Sequence, residues 1–186
     1  LLSRRQRQMC IRDSGMTILC PASFAELRGM LRYALYQVSG PVALRYPRGG
    51  EGPYTDSHLE PVTCLRAGSD LTLVTYGILT NEALAAADKL AADGIGAEVL
   101  KLGQIHPLET ECILPSLQKT GRLIVAEDVC EAGCVGARIL AAAARDDIKI
   151  AVRDFQRAAR VNAVSIRRNA HAAAADNHHS PGGILI

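Results

Sequence analysis

Apolar residues fall in short runs that alternate with stretches of helical spacing. Residues 16–20 form an apolar run closed by Pro21, which reads as a buried strand. Ser23 precedes Glu26 by three positions, the capping-box spacing that satisfies free amides at a helix start. Phe24, Leu27, Met30, Leu31, Ala34 and Leu35 then recur at helical intervals and predict one apolar face. Gly40-Pro41 breaks that helix, and residues 42–44 read as a second strand running straight into Arg45-Tyr46-Pro47-Arg48-Gly49-Gly50. Residues 49–69 mix Gly, Pro and scattered polar positions, the composition of a linker or an irregular crossing segment.

Beyond the linker the two periods alternate cleanly. Strands are predicted at 71–76, 97–102, 122–126 and 148–152, and helices at 81–93, 110–119 and 135–144. Strands separated by helices of this length imply right-handed crossovers and a parallel sheet covered on both faces. The expected class is therefore α/β, a three-layer parallel-sheet domain over 70–153 preceded by a strand-helix-strand unit over 15–48. The ends read differently. Residues 1–14 are polar, arginine-rich and aperiodic, and their MCIRDS string resembles a translated sequencing adapter, so they are read as non-native. Residues 154–186 are rich in Ala, Arg and His, with no strand pattern; off-frame translation would give such a mixture.

Composition narrows the function classes. Hydrophobic residues make up 48% and charged residues 22%, ordinary for a soluble globular chain. No apolar run reaches the roughly 20 residues of a membrane span, and a cytoplasmic location with no membrane partner is expected. A net charge of +2, two Phe and no Trp argue against a nucleic-acid partner. Six cysteines lie scattered without CxxC pairing and read as reduced thiols; Cys130 and Cys134 share a helical spacing but lack further zinc ligands.

Two blocks carry candidate chemistry. Arg45 and Arg48 follow a predicted parallel strand, and ligands of such sheets gather at strand carboxyl ends. Pro47 holds Tyr46 extended, and a guanidinium fixed there grips a phosphate with two parallel hydrogen bonds. The bland alternative is two surface arginines in salt bridges. Glu127-Asp128, followed by Gly133-Cys134-Val135-Gly136, offers either catalytic carboxylates and a phosphate cradle, or a packing loop. Neither GxGxxG spacing nor a Walker lysine accompanies it, which counts against the phosphate cradle. Tyr76, at the end of a strand, is left open as a contact to the neighbouring unit. His106 lies in a connection and is assigned no chemistry.

GPVALRYPRGGEG resembles the segment closing the pyrimidine-binding domain of the 1-deoxy-D-xylulose-5-phosphate synthases. GMTILCPASFAELRGMLRYAL is similar to the segment before it. TLVTYGILTNEALAAADKLAADGIGAEVLKLGQIHPLE and LIVAEDVCEAGCVGARIL resemble parts of that family's transketolase-type C-terminal domain. Four blocks in the family's order span residues 15–152. The resemblance implies that 15–48 ends a pyrimidine-binding domain, 49–69 links, and 70–153 is a transketolase C-terminal domain. It implies a transferase, homodimeric as the whole enzyme, that condenses pyruvate with glyceraldehyde 3-phosphate for isoprenoid, thiamine and pyridoxal biosynthesis. Thiamine diphosphate with Mg²⁺ supplies the electron sink. By the same resemblance Arg48 binds the phosphate of glyceraldehyde 3-phosphate, and Arg45 is the weaker second claimant.

The family's GDG segment, its following Asn, its catalytic Glu and its proton-transferring histidines have no counterpart here. No catalytic, cofactor-binding or metal-binding residue is therefore assigned, and the chain is expected to be an inactive fragment on its own. Transketolase and the 2-oxoacid dehydrogenase β subunit share the domain but do not usually carry RYPRG. A non-catalytic assembly module built on the same fold is the rival from another class.

Overall fold

The computed structural model describes residues 15–46, 50–128 and 134–150, together with the backbone of 184–185. It opens with β1 (Thr17–Leu19), α1 (Phe24–Tyr36) and β2 (Val42–Leu44). Ser23 caps α1 in extended geometry, its Oγ accepting from the Glu26 amide at 3.0 Å. The reciprocal bond goes one residue further back, from the Ala22 amide to the Glu26 carboxylate at 2.8 Å. Strands β1 and β2 pair in parallel, Thr17 opposite Val42 and Leu19 opposite Leu44. Only part of the apolar face predicted for α1 is covered. Met30 is 2% exposed, whereas Phe24 is 53% and Leu35 74% exposed, because no described element packs across the outer side of the helix.

The segment read as a linker is more ordered than its composition suggests. Residues 50–61 are irregular, but β3 (Val62–Arg66) pairs antiparallel with β5 (Ala97–Leu102) along one edge of the main sheet. Behind β3, Gly68 lets two backbones touch. A Cβ there would stand 2.3 Å from the carbonyl carbon of Ala97 and the amide nitrogen of Glu98.

The main sheet runs β3-β5-β4-β7-β8, with β4 (Leu71–Tyr76), β7 (Leu123–Ala126) and β8 (Ile184–Leu185). Its centre, β5-β4-β7, is parallel as expected, and both edges are antiparallel. Alternate side chains of β4 serve opposite faces. Leu71 and Leu73 pack with Ala83 and Ala87 of α2 (Leu79–Ala92), and Val74 and Tyr76 with the other side. That second side holds Leu117 of α3 (Leu114–Thr120) and Ile139 of α4 (Val135–Arg145). Helix, sheet and helices form three layers.

Two expectations need correction. No strand is found at 148–150; Ile148 and Ile150 instead pack, half-buried, against the core, and 151–152 lie outside the described residues. The tail read as strandless supplies β8, whose apolar Ile184-Leu185 backbone takes up the free edge of β7. Residues 1–14 and the rest of the tail lie outside the described residues. A third strand completes the small sheet, order β2-β1-β6: β6 (Gln104–His106), directly after β5, pairs antiparallel with β1. The opening unit thus borrows a strand from the domain that follows it.

Candidate functional site at the carboxyl ends of the strands

The carboxyl ends of β1, β2, β4 and β7 converge. The Arg45 amide donates to the Leu19 carbonyl at 2.8 Å, extending the β1–β2 ladder one residue past β2. From that point the Arg45 guanidinium crosses to the main sheet. Its Nη2 donates to Asp128 Oδ1 at 2.5 Å, and its carbon lies 5.5 Å from the centre of the Tyr76 ring. The pair is partly open to solvent, with side chains 40% and 37% exposed. Burial works against the Arg45 charge, but Asp128 more than offsets this and holds its pKa above the usual guanidinium value.

Behind that pair the chemistry becomes fully buried. Tyr76 Oη donates to Glu127 Oε2 at 3.1 Å. The same carboxylate accepts the Val135 and Gly136 amides, each at 3.0 Å, at the start of α4. Glu127 therefore occupies the positive end of the helix, where a carboxylate is stabilised by free amides and the helix dipole. A Cβ on Gly136 would meet Glu127 Oε1 at 3.3 Å and Val125 Cγ2 at 3.4 Å, so glycine makes room for the carboxylate. Burial first, then Glu127, pushes the Tyr76 phenol upward, and burial pushes the Cys20 thiol up to about 12. Neither side chain is an acid or nucleophile at neutral pH. The acidic pair is thus divided: Glu127 is structural, while Asp128 faces Arg45.

A second polar cluster, not anticipated from the sequence, lies where α1 meets β5. Glu26 and Lys101 form an ion pair with both side chains 0% exposed. Glu26 Oε1 also accepts from Tyr54 Oη at 2.8 Å and from the His58 amide at 3.3 Å. Lys101 donates in addition to the His58 carbonyl at 3.3 Å. Its pKa is lowered, burial being the main cause and Glu26 opposing it. The only signal for this cluster was a lysine inside AEVLKL, a charge on a strand expected to be buried on both faces.

Arg48 lies outside the described residues, as do Pro47 and Gly49. The residues on either side, Tyr46 and Gly50, border a shallow depression open to solvent and also lined by Pro21, Phe24, Glu51 and Ile78. Cys20, Cys64, Cys112 and Cys134 are free thiols; Cys134 caps α4, accepting the Ala137 amide at 3.3 Å. Cys10, Cys130 and Gly133 lie outside the described residues. Among those described, no three His, Cys, Asp or Glu side chains are placed to hold a metal ion, and no helix is long and apolar enough to cross a membrane. With no GDG segment in the sequence either, these residues do not fit a diphosphate–Mg²⁺ cradle.

A three-layer domain with a parallel centre, joined to a strand-helix-strand unit at its strand ends, is the architecture of transketolase-type enzymes. The chain belongs to the family described as transketolase, C-terminal domain, which matches residues 61–172 and so extends into the stretch expected to be off frame. Within that family its relatives are 1-deoxy-D-xylulose-5-phosphate synthases. It is 36% identical over 148 residues to the synthase of Rippkaea orientalis, covering 76% of this chain and 23% of that protein. To the synthase of Heliobacterium modesticaldum it is 38% identical over 144 residues, covering 74% and 22%. The chain thus spans about a quarter of the length of the curated relatives it matches. Among solved structures, a "split gene transketolase, inactive beta4 tetramer" superposes with a TM-score of 0.64 at 33% identity, covering 70% of this chain and 44% of that one. A transketolase from Pichia stipitis, 19% identical with a TM-score of 0.53, covers 63% of this chain and 19% of that one and shares the fold.

Proposed function

We propose that this chain is the C-terminal part of a 1-deoxy-D-xylulose-5-phosphate synthase and supplies the arginine that grips the acceptor substrate's phosphate. The reaction is the condensation of pyruvate with glyceraldehyde 3-phosphate, with loss of CO2. Thiamine diphosphate and Mg²⁺ belong, on this reading, to polypeptide outside this chain, and the working unit is a homodimer. The role of this chain is to bind and orient. Arg48 offers a planar fork of donors matched to a phosphate monoester.

One observation carries the reading: Arg45, the first residue of RYPRG, continues the β1–β2 ladder where the carboxyl ends of both sheets converge, and Tyr46 and Gly50 border an open depression nearby. Ligands of open parallel sheets bind at such ends. Arg45 is the weaker ligand candidate, since Asp128 already occupies its guanidinium.

The test is a chimera in which residues 15–150 of this chain replace the matching segment of a curated relative. Arg48→Ala should raise KM for glyceraldehyde 3-phosphate far more than KM for pyruvate. Losing a charge-assisted contact of about 1.5–3 kcal/mol corresponds to roughly 10- to 150-fold. An unchanged KM for the aldehyde removes Arg48 from the site.

A second reading has one observation in its favour, the likeness to a split-gene transketolase whose tetramer is described as inactive. There the chain would be a separately encoded half that assembles with a catalytic partner. A start codon near Met16 favours that version; an open frame continuing upstream into a GDG segment excludes it.

A further inference from the structure

We propose that the hydroxyls of Thr75 and Thr80 together bind a buried water molecule between the main sheet and α2.

The layer in which they lie is otherwise apolar. Leu71 and Leu73 of β4 pack there with Ala83 and Ala87 of α2. Side chains two apart on a strand share a face, so Thr75 continues the row of Leu71 and Leu73. Thr80 precedes Ala83 by three positions and heads the same buried stripe of the helix. Both threonines are 0% exposed. A helical threonine commonly returns its hydroxyl to a carbonyl one turn earlier. Thr80 does not: neither its Oγ1 nor that of Thr75 has a hydrogen-bond partner among the described residues, and the two are not bonded to each other. One hydroxyl in an apolar layer is a cost; two on facing elements give a water partners on both sides. Thr63 carries a third such hydroxyl, but it lies on β3, two strand spacings from Thr75, and is too far away to share that water.

Charge decides the occupant. Lys101 on β5 is the register partner of Thr75, and Glu26 already matches its charge, with both side chains 0% exposed. A halide or a monovalent cation at the hydroxyls would add an unmatched charge beside that buried pair, and water adds none. Water also donates and accepts, as each hydroxyl does. The bridge ties the first turn of α2 to the carboxyl half of β4, above the apolar contacts of Ala83 and Ala87.

The full chain serves for the test, with Thr75→Val, Thr80→Val and the double variant compared by urea unfolding. Valine keeps the shape of the side chain and removes the hydroxyl. Each single variant should lower the urea midpoint by about 0.5 M, because the water loses one of its two holders. The double variant should fall no further than the lower single one, since the water leaves together with both hydroxyls. Hydroxyls that bind nothing give the opposite sign. A midpoint raised or unchanged in either single variant overturns the inference, and so do losses that add in the double variant. A high-resolution crystal structure of the unaltered chain tests the same claim without relying on any variant to fold. It should show a water peak about 2.8 Å from both Thr75 Oγ1 and Thr80 Oγ1. A direct bond between the two threonines, or from either to a carbonyl with no peak between them, overturns the proposal.

Discussion

Lys101→Met is the most informative perturbation of the fold, because Lys101 and Glu26 are wholly buried and join the opening unit to the main sheet. Removing one partner of a buried pair typically costs about 3–5 kcal/mol. The two partners should fall at opposite ends of that range. Without Lys101, the Glu26 carboxylate keeps three donors: the Ala22 amide, Tyr54 Oη and the His58 amide. A loss of about 3 kcal/mol is expected. Without Glu26, Lys101 keeps one hydrogen-bond acceptor among the described residues, the His58 carbonyl at 3.3 Å, beside the Tyr54 ring, and those three donors lose their acceptor. Glu26→Leu should therefore cost about 5 kcal/mol.

The assay is urea unfolding followed by far-ultraviolet circular dichroism, since the chain has no Trp. With a slope of about 2 kcal/mol per molar urea, Lys101→Met should lower the midpoint by about 1.5 M. Burial also fixes the sign of the pH dependence. Burial holds the folded pKa of Lys101 below the ordinary lysine value of 10.5, so the folded state binds fewer protons than the unfolded state in that window. Stability from this group rises with pH up to 10.5. Glu26→Leu, which removes the charge opposing that shift, should recover most as the solution is made alkaline. A loss below about 1 kcal/mol for Lys101→Met, or a larger loss than for Glu26→Leu, would refute the account of the cluster.

Two further perturbations probe the main sheet. Gly68→Ala forces a Cβ to 2.3 Å from the β5 backbone, which cannot rotate away, and should cost about 3 kcal/mol; a urea midpoint within error of the parent would show that the approach is looser than described. Glu98 is bonded to Lys119 at 2.7 Å and Ser116 at 2.5 Å. Burial raises its pKa, but these partners outweigh burial and hold it below 4.5. Its contribution is therefore present above 4.5 and lost as pH falls through the lower folded value. Glu98→Gln should flatten the acid limb of stability, and parallel limbs from pH 7 down to about 3 would contradict this.

Legibility in the sequence followed the range of the interaction. The parallel centre was readable because Leu71–Tyr76 and Ala97–Leu102 are short strand-like stretches bounded by turn residues, and the Ser23–Glu26 spacing marked the start of α1. The edge strand Val62–Arg66 was not, since one edge strand in a Pro- and Gly-containing stretch carries little period-2 signal. The apolar face of α1 was readable as a pattern but not as buried surface, because burial depends on what packs over it. At the site, RYPRG pointed to strand ends. That Asp128 would reach Arg45, 83 positions away in sequence, was invisible to any local rule.

These long-range contacts explain why the opening unit has a defined shape at all. Two parallel strands of three residues and one half-covered helix bury too little to order themselves. The missing stabilisation comes from the other domain at three points: the strand Gln104–His106 beside β1, Lys101 beneath α1, and Asp128 at the exit of β2. The first two set where the unit sits, and the third ties the end of β2 to the main sheet.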